Sequence, residues 1–146
     1  MWKFVLAALS LLLVGVSGGV KAQVKKSPKT VLPDLVITKI SKMSPDIAQV
    51  TVKNIGHGPS DKYCHLTLKI TGTRNNSSFA IGNYAAVVMP LKAGQTQVVL
   101  VSTLLPDNVR LPDGTLFTLQ ATVNVGSFVH ESNETNNTLT VQAAKF

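Results

Sequence analysis

The feature that most constrains the fold is a two-residue alternation of apolar and polar side chains. In residues 64–71 every second residue is apolar, and the pattern recurs in residues 48–53, 117–125 and 139–143. A period of two places alternate side chains on opposite faces of a strand, so one face of each strand should be buried. Strand-like runs separated by turns at intervals of roughly ten residues predict an all-β, antiparallel sandwich of about seven strands. A closed barrel with the same strand count is the alternative.

The composition indicates one domain whose core has no disulfide. With 146 residues, 45% of them hydrophobic, the chain has enough apolar side chains for one core and is unlike a disordered chain. Its single cysteine, Cys64, excludes an internal disulfide, so the fold must depend on packing. The alternation places Cys64 on the buried face. Burial as a small hydrophobic residue is favoured over a reactive thiol, which needs an exposed, electropositive setting.

Residues 1–22 have the organisation of a secretory signal peptide. Lys3 precedes an uncharged apolar run over residues 4–16, and small residues then lead to a predicted cleavage before Gln23. The run is shorter than the roughly 20 residues of a membrane anchor, so cleavage is favoured over retention. We therefore expect a secreted or periplasmic protein with no transmembrane segment after cleavage. A basic flexible tether over residues 23–32 should precede a folded domain over residues 33–144.

Much of the positive charge lies before this domain. The formal net charge is +7, and five of the fourteen lysines and arginines precede residue 30. Lys25, Lys26 and Lys29 could attract an anionic surface, but a solvated leader is the favoured interpretation of so short a basic run. The sequence contains no helix-turn-helix, RNP-like or zinc-finger pattern, so a specific nucleic-acid partner is not expected.

Two apolar segments depart from simple alternation. Residues 79–91 are interrupted at Gly82 and stopped by Pro90, which predicts one or two short edge strands. Residues 98–101 form a continuous apolar run inside the segment 95–103. A run of this kind predicts a β-bulge or a strand buried on most of its surface.

Between the last two predicted strands lies the oxygen-rich turn, which we define as Val129–Thr138. Its carboxylates and carboxamides suggest a weak calcium site, with Kd on the order of 10⁻⁴ to 10⁻³ M. The alternative is a structural clasp, in which Asn side chains mimic backbone partners and glutamates accept backbone N–H groups. The clasp is favoured because only two carboxylates are present and the spacing differs from that of an EF-hand. The candidate ligands are Glu131, Asn133, Glu134 and Asn136.

The sequence does not favour an enzyme. His57, His65 and His130 lack metal-ligand spacing, and no Gly-x-Ser-x-Gly motif is present. Glu131 and Glu134 share one short turn, with no apolar cleft implied that would separate their pKa values for acid and base roles. Apart from a weak calcium site, no cofactor is expected.

Four motifs in order resemble the CARDB family, the cell-adhesion-related domain of bacteria. They are PDLVI (33–37), VTVKNIG (50–56), LKAGQ (91–95) and ESNETNN (131–137), and the resemblance spans about residues 33–143. It implies an immunoglobulin-like sandwich of seven strands in a secreted or surface protein of bacterial type, which binds or adheres and does not catalyse. Family members usually carry an acidic residue where this chain has Asn124, a departure that further favours the clasp.

These observations predict an exported, non-catalytic binding or adhesion module, most simply a monomer. Loops at one end of the sandwich, especially residues 54–62 and 126–137, should contact a protein or a cell-surface glycan. The alternative is a structural or chaperone-like periplasmic protein that adds a partner's strand to an exposed edge near residues 79–89. A flat, apolar edge would favour this alternative, whereas a bulged or charged edge would favour the loops.

Overall fold

The computed structural model describes residues 30–44, 46–103 and 115–143. The predicted signal peptide, tether residues 23–29, residues 104–114 and residue 144 lie outside these ranges. No helix in the described ranges is long and apolar enough to cross a membrane. The seven strands found there are β1 (Leu35–Ser44), β2 (Ile47–Asn54), β3 (Cys64–Arg74), β4 (Ser77–Val88), β5 (Thr96–Ser102), β6 (Leu116–Val125) and β7 (Thr138–Ala143).

The strands form two antiparallel sheets. One has the order β1-β2-β5 and the other the order β4-β3-β6-β7. The prediction of an all-β sandwich of about seven strands without a disulfide is confirmed for the described ranges. Because the ladder divides into two separate sheets, the barrel alternative is wrong.

The core fills the space between the sheets with the residues that the alternation placed inward. On the larger sheet, Leu66 pairs with Val123 and Leu68 with Ala121, and all four side chains are fully buried or nearly so. The facing sheet contributes Val50, Val52, Val99 and Val101. Full burial of a Val or Leu side chain stabilises a fold by about 1.5–3 kcal/mol. Cys64 is also buried in this core and unpaired, as predicted.

The segment predicted to contain one or two short edge strands forms a single long one. β4 has twelve residues and pairs only with β3, so its edge position is confirmed. Pairing continues through Gly82, with one register shift opposite Ile70 and Thr71. A Cβ atom on Gly82 would lie 2.3 Å from the Tyr84 hydroxyl. The glycine therefore makes room for the Tyr84 side chain and does not end the strand.

The continuous apolar run in β5 is neither bulged nor mostly buried, so that prediction is wrong. β5 pairs with β2 without a register shift from Thr96 to Ser102. Val99 and Val101 are buried, whereas Val98 and Leu100 are 54% and 55% exposed. The reason is positional, because a sandwich of two sheets buries only one face of each strand. At the edge of its sheet, the outward side chains of β5 have a neighbouring strand on one side only.

Candidate functional site

Three segments meet at one end of the sandwich, which we call the loop end. They are the loop between β2 and β3 (residues 55–63), the loop between β6 and β7 (residues 126–137) and the approach to β1 (residues 30–34). The Gly58 N–H donates to the Leu32 carbonyl at 3.0 Å, and the Ser132 N–H donates to the Pro33 carbonyl at 2.8 Å. Backbone hydrogen bonds thus connect both loops to the start of the first strand.

Glu131 is the buried acid of the loop end, with only 4% of its surface exposed. Its Oε2 accepts the Leu35 N–H, and its Oε1 accepts the side-chain amides of Asn124 at 2.6 Å and Asn137 at 2.8 Å. Hydrogen bonds to an ionised acceptor are about twice as strong as neutral ones. The carboxylate therefore connects β1, the end of β6 and the residue that precedes β7.

Asn124 has two further bonds and an unusual backbone. Its amide group donates to the Val129 carbonyl at 2.7 Å, and its oxygen accepts the Val129 N–H at 3.0 Å. The residue adopts a left-handed φ of 57°, which asparagine tolerates better than most residues. A neutral amide fits this position because it donates to Glu131 and to a carbonyl, whereas a carboxylate would face both as a second acceptor.

The remaining predicted ligands have separate partners. The Asn133 oxygen accepts the N–H and hydroxyl of Thr135, at 3.0 and 2.8 Å. Glu134 is exposed, with an oxygen 3.5 Å from the ring of His130. The Asn136 amide donates to Asp34 at 2.9 Å, while its own oxygen is buried without a partner among the described residues.

This arrangement is only a partial fit to a calcium ion. Both oxygens of Glu131 already accept N–H groups, which leaves the carboxylate of Glu134 and the oxygen of Asn136 as the available donors of the four predicted. No three His, Cys, Asp or Glu side chains in the described ranges form a group that could hold a metal ion.

Burial shifts the pKa values of two groups beneath the loop end. It raises the pKa of Glu131, an effect opposed by the hydrogen bonds from Leu35, Asn137 and Asn124 and reinforced by the charge of Asp34. Burial also raises the pKa of the Cys64 thiol to about 11, although a hydrogen bond from the Asn124 backbone lowers it. The thiol is therefore neutral at physiological pH and a poor nucleophile.

A second buried amide fixes the other loop and was not singled out from the sequence. The Asn54 oxygen accepts the N–H groups of Asp34 and Gly56, both at 3.0 Å, and its amide group donates to the carbonyls of Gly58 at 2.8 Å and Leu91 at 3.0 Å. All four hydrogen-bonding positions are used. The available sequence signal was an asparagine that ends an alternating strand just before a loop with two glycines.

Two exposed rings and one half-buried imidazole form what we call the aromatic surface, which consists of Tyr63, His65 and Phe128. Tyr63 is 57% and Phe128 50% exposed. His65 lies between them, with ring centroids 6.3 Å from Tyr63 and 5.2 Å from Phe128, both in edge-to-face geometry. The rings therefore form a continuous row beside the two loops.

Phe128 also lines two open cavities. One of about 380 Å³ extends from Phe128 to His130 and the segment 30–33. The other, of about 400 Å³, extends to Tyr63 and to Met89 and Pro90. Asp61 and Lys62 line both cavities, so each combines an aromatic wall with charged groups.

Comparison with models of known protein families identifies the family of this chain. The family model of CARDB matches residues 32–141, which is well over half of the chain. The chain belongs to the CARDB family. In this CARDB sequence, the motif PDLVI leads into β1. The motif VTVKNIG covers the end of β2 with Asn54 and continues to Gly56, and the motif ESNETNN begins at Glu131. No curated protein matches the sequence significantly.

The solved structures similar to this chain include two archaeal domains. A domain of a Methanosarcina acetivorans protein, assigned to the cell surface by its name, is 20% identical with a TM-score of 0.53, and the match covers 79% of this chain and 93% of that one. A CARDB domain from Pyrococcus furiosus, crystallised in complex with di-metal ions, is 21% identical with a TM-score of 0.46 and coverages of 80% and 96%. The solution structure of the same Pyrococcus furiosus domain is 22% identical with a TM-score of 0.47, and the match covers 79% of this chain and 96% of that one. At these identities the likeness concerns the fold alone.

Sequence reasoning identified the loops of the CARDB domain but not the rings that they present. Phe128 follows Gly126 and Ser127 in a polar turn, outside any strand, where the alternating pattern does not account for an apolar aromatic residue. That position was the available signal. Tyr63 had none, because a tyrosine directly before a strand is also typical of an ordinary strand end.

Proposed function

We propose that this chain is an exported, non-catalytic binding or adhesion module that contacts its partner with the loop end. The observation that carries the proposal is the exposed Phe128 ring, which lines two cavities at the loop end. A large exposed apolar group in a defined setting is typical of interaction sites, because exposure has a cost that packing alone does not repay. The signal peptide predicted over residues 1–22 supports a location outside the cytoplasm.

Two positive features support the absence of catalysis. Glu131, the buried carboxylate of the loop end, has its oxygens occupied by three N–H donors and is not free to act as a base. The raised pKa of Cys64 keeps its thiol protonated at neutral pH. The groups best protected from solvent thus have structural partners.

The test is binding of the purified, fluorescently labelled protein to isolated cell envelopes of the producing organism. We expect saturable binding that Phe128→Ala reduces, while Leu100→Ser, which removes an equally exposed apolar residue from β5, has no effect. Equal binding by both variants would refute the role of the loop end. Recovery of the protein from outside the cytoplasm, with Gln23 as its first residue, would verify export and cleavage.

A second candidate function is strand addition at β4. This edge strand contains no charged residue along its twelve positions, which favours pairing with an extended partner, although the register shift near Ile81 bends it away from an ideal edge. Lysines at the exposed positions Ala85 and Val87 should discourage pairing. Envelope binding that these lysines abolish, and that Phe128→Ala leaves intact, would favour this candidate over the loop end.

A further inference from the structure

The row of rings at the loop end is built as a rigid platform. Three residues just before Phe128 adopt left-handed backbones: Asn124 with φ 57°, Gly126 with φ 88° and Ser127 with φ 51°. Left-handed conformations of residues other than glycine cost on the order of 1–3 kcal/mol, and they cluster at ligand-binding sites. The Asn124 side chain holds both backbone groups of Val129, so the chain is fixed on either side of the exposed ring.

Packing fixes the ring itself. A Cβ atom on Gly126 would lie 2.9 Å from the Phe128 ring, so the ring lies directly over the glycine. The edge-to-face contact with His65 supports it from another side. A ring held in this way loses little conformational freedom when a ligand covers it, which lowers the entropic cost of binding.

The charged groups beside the platform restrict the chemistry of the ligand. Asp61 and Lys62 are exposed neighbours that line both cavities and carry opposite charges. The two charges balance, so a ligand of either sign would meet one like charge beside one opposite charge and gain no net attraction. A hydroxyl group both donates and accepts hydrogen bonds, so a neutral polyol can use both side chains.

A neutral sugar ring also fits the rings. Its C–H face is apolar and carries slight positive charge, which complements the negative face of an aromatic ring. The cavities, at about 380 and 400 Å³, fall in the range of roughly 300–1,000 Å³ that is usual for small-ligand sites. An extended peptide would instead pair most readily with the backbone of the β4 edge strand.

We propose that the aromatic surface binds neutral saccharide chains, with sugar rings stacked on Phe128 and Tyr63 and hydroxyl groups hydrogen bonded to Asp61 and Lys62. This inference rests on the proposed function, because it names the ligand class of the same loop end. It assigns stacking to the two rings and orientation to the two charged side chains.

The experiment uses cell envelopes of the producing organism in three forms: untreated, oxidised with periodate, and digested with protease. Periodate cleaves the vicinal diols of sugars. We expect oxidation to abolish binding of the labelled protein, protease to leave it unchanged, and the neutral polysaccharide fraction of the envelopes to compete more strongly than the acidic fraction. Binding should change little between 50 and 500 mM salt, since no net charge is recognised.

Matched variants locate the site. Phe128→Ala and Tyr63→Ala should each weaken binding of the neutral fraction about tenfold, while Val98→Ser, which removes a similarly exposed side chain from β5, should leave it unchanged. Unchanged thermal unfolding would show that each variant is folded. Tyr63→Ala gives a second test if Phe128→Ala does not fold.

The outcomes separate the two proposals. Binding that depends on Phe128, resists periodate and is lost after protease would overturn the saccharide inference and indicate a protein partner, with the binding module retained. Binding that depends on periodate-sensitive groups but not on either ring would also overturn it. No binding to untreated envelopes would refute the proposed function together with this inference.

Discussion

Replacing Glu131 with glutamine tests how much of the fold depends on one buried carboxylate. The substitution keeps the size of the side chain and removes its charge. A carboxylate accepts at both oxygens, but a glutamine has one oxygen and one NH₂ group. If the amide oxygen stays with Asn124 and Asn137, the NH₂ group must face the Leu35 N–H, which is itself a donor.

The magnitude follows from this count. One hydrogen bond to a charged acceptor is lost, worth about 1.5–3 kcal/mol, and two donors are left facing each other. The remaining two bonds are weakened, because they now join neutral groups. We expect Glu131→Gln to lower the free energy of unfolding by about 2–4 kcal/mol, which for a domain of this size lowers Tm by roughly 10 °C.

The assay is urea unfolding followed by circular dichroism, with Glu134→Gln as the control. Glu134 lies in the same turn but is exposed and has only a long contact to His130, so its replacement should change stability by less than about 0.5 kcal/mol. Equal effects of the two substitutions would refute the account of Glu131 given above.

The same variant has a pH signature. Because burial raises the pKa of Glu131 above 4.5, the folded state holds this proton more tightly than the unfolded state does. Its contribution to stability is therefore complete below pH 4.5 and is lost as the pH rises through the folded pKa. The loss of about 2–4 kcal/mol given above applies near neutral pH, and the difference between wild type and Glu131→Gln should increase from that value as the pH falls toward 4.5. A difference that grows with pH would contradict the raised pKa.

Calcium can be tested in the same unfolding experiment. If the Kd for calcium is a tenth of the free calcium concentration, binding stabilises the wild type by about 1.4 kcal/mol. Glu134→Gln and Asn136→Ala should remove that gain if these side chains supply ligands. Unfolding curves that coincide in EDTA and in millimolar calcium would instead leave the oxygen-rich turn with its hydrogen-bonding role alone.

Three further substitutions or probes address other parts of the fold. Asn54→Asp should lower the free energy of unfolding by about 3 kcal/mol or more, because it places a carboxylate oxygen against the carbonyls of Gly58 and Leu91; urea unfolding with a change below 1 kcal/mol would contradict this. Gly58→Ala should cost about 1–3 kcal/mol, since its Cβ atom would lie 2.1 Å from a backbone oxygen of the approach to β1, whereas the exposed neighbour His57→Ala should be neutral in the same assay. Iodoacetamide at pH 8 should label Cys64 at least about a hundredfold faster in unfolded than in folded protein, because burial and a pKa of about 11 both protect the thiol; equal rates would refute its burial.

The sequence predicted the parts of this fold that depend on a local period and missed those that depend on position in a sheet. Alternation in β3 placed Cys64 and Leu68 in the core without knowledge of neighbouring strands. The run Val98–Val101 could not be interpreted in this way, since a continuous apolar run does not show which of its side chains face away from the core on the outer surface of the sheet. Gly82 was misinterpreted for a similar reason, because its space is filled by Tyr84, two residues away on the same strand.

The candidate site shows the same division. Composition identified the oxygen-rich turn, but composition gives every Asn and Glu in it the same weight. The structure separates a buried Glu131 from an exposed Glu134, and that difference arises from Leu35, Asn124 and Asn137 reaching the former. The aromatic surface was missed because Tyr63, His65 and Phe128 come from two distant segments, which only the pairing of β3 with β6 brings together.

The bond from Leu35 to Glu131 has a consequence for the timing of folding. It joins residues 96 positions apart, and the amide of Asn137 that completes it stands at the entrance to the last strand. Contacts of such long range form slowly, because a large loop must close before they stabilise anything. A nascent chain cannot complete the hydrogen bonds of Glu131 until Asn137 has been synthesised, so this part of the fold forms only after nearly the whole domain is available. Such a delay would suit the export proposed for this chain, because an exported polypeptide crosses the membrane unfolded and folds on the far side.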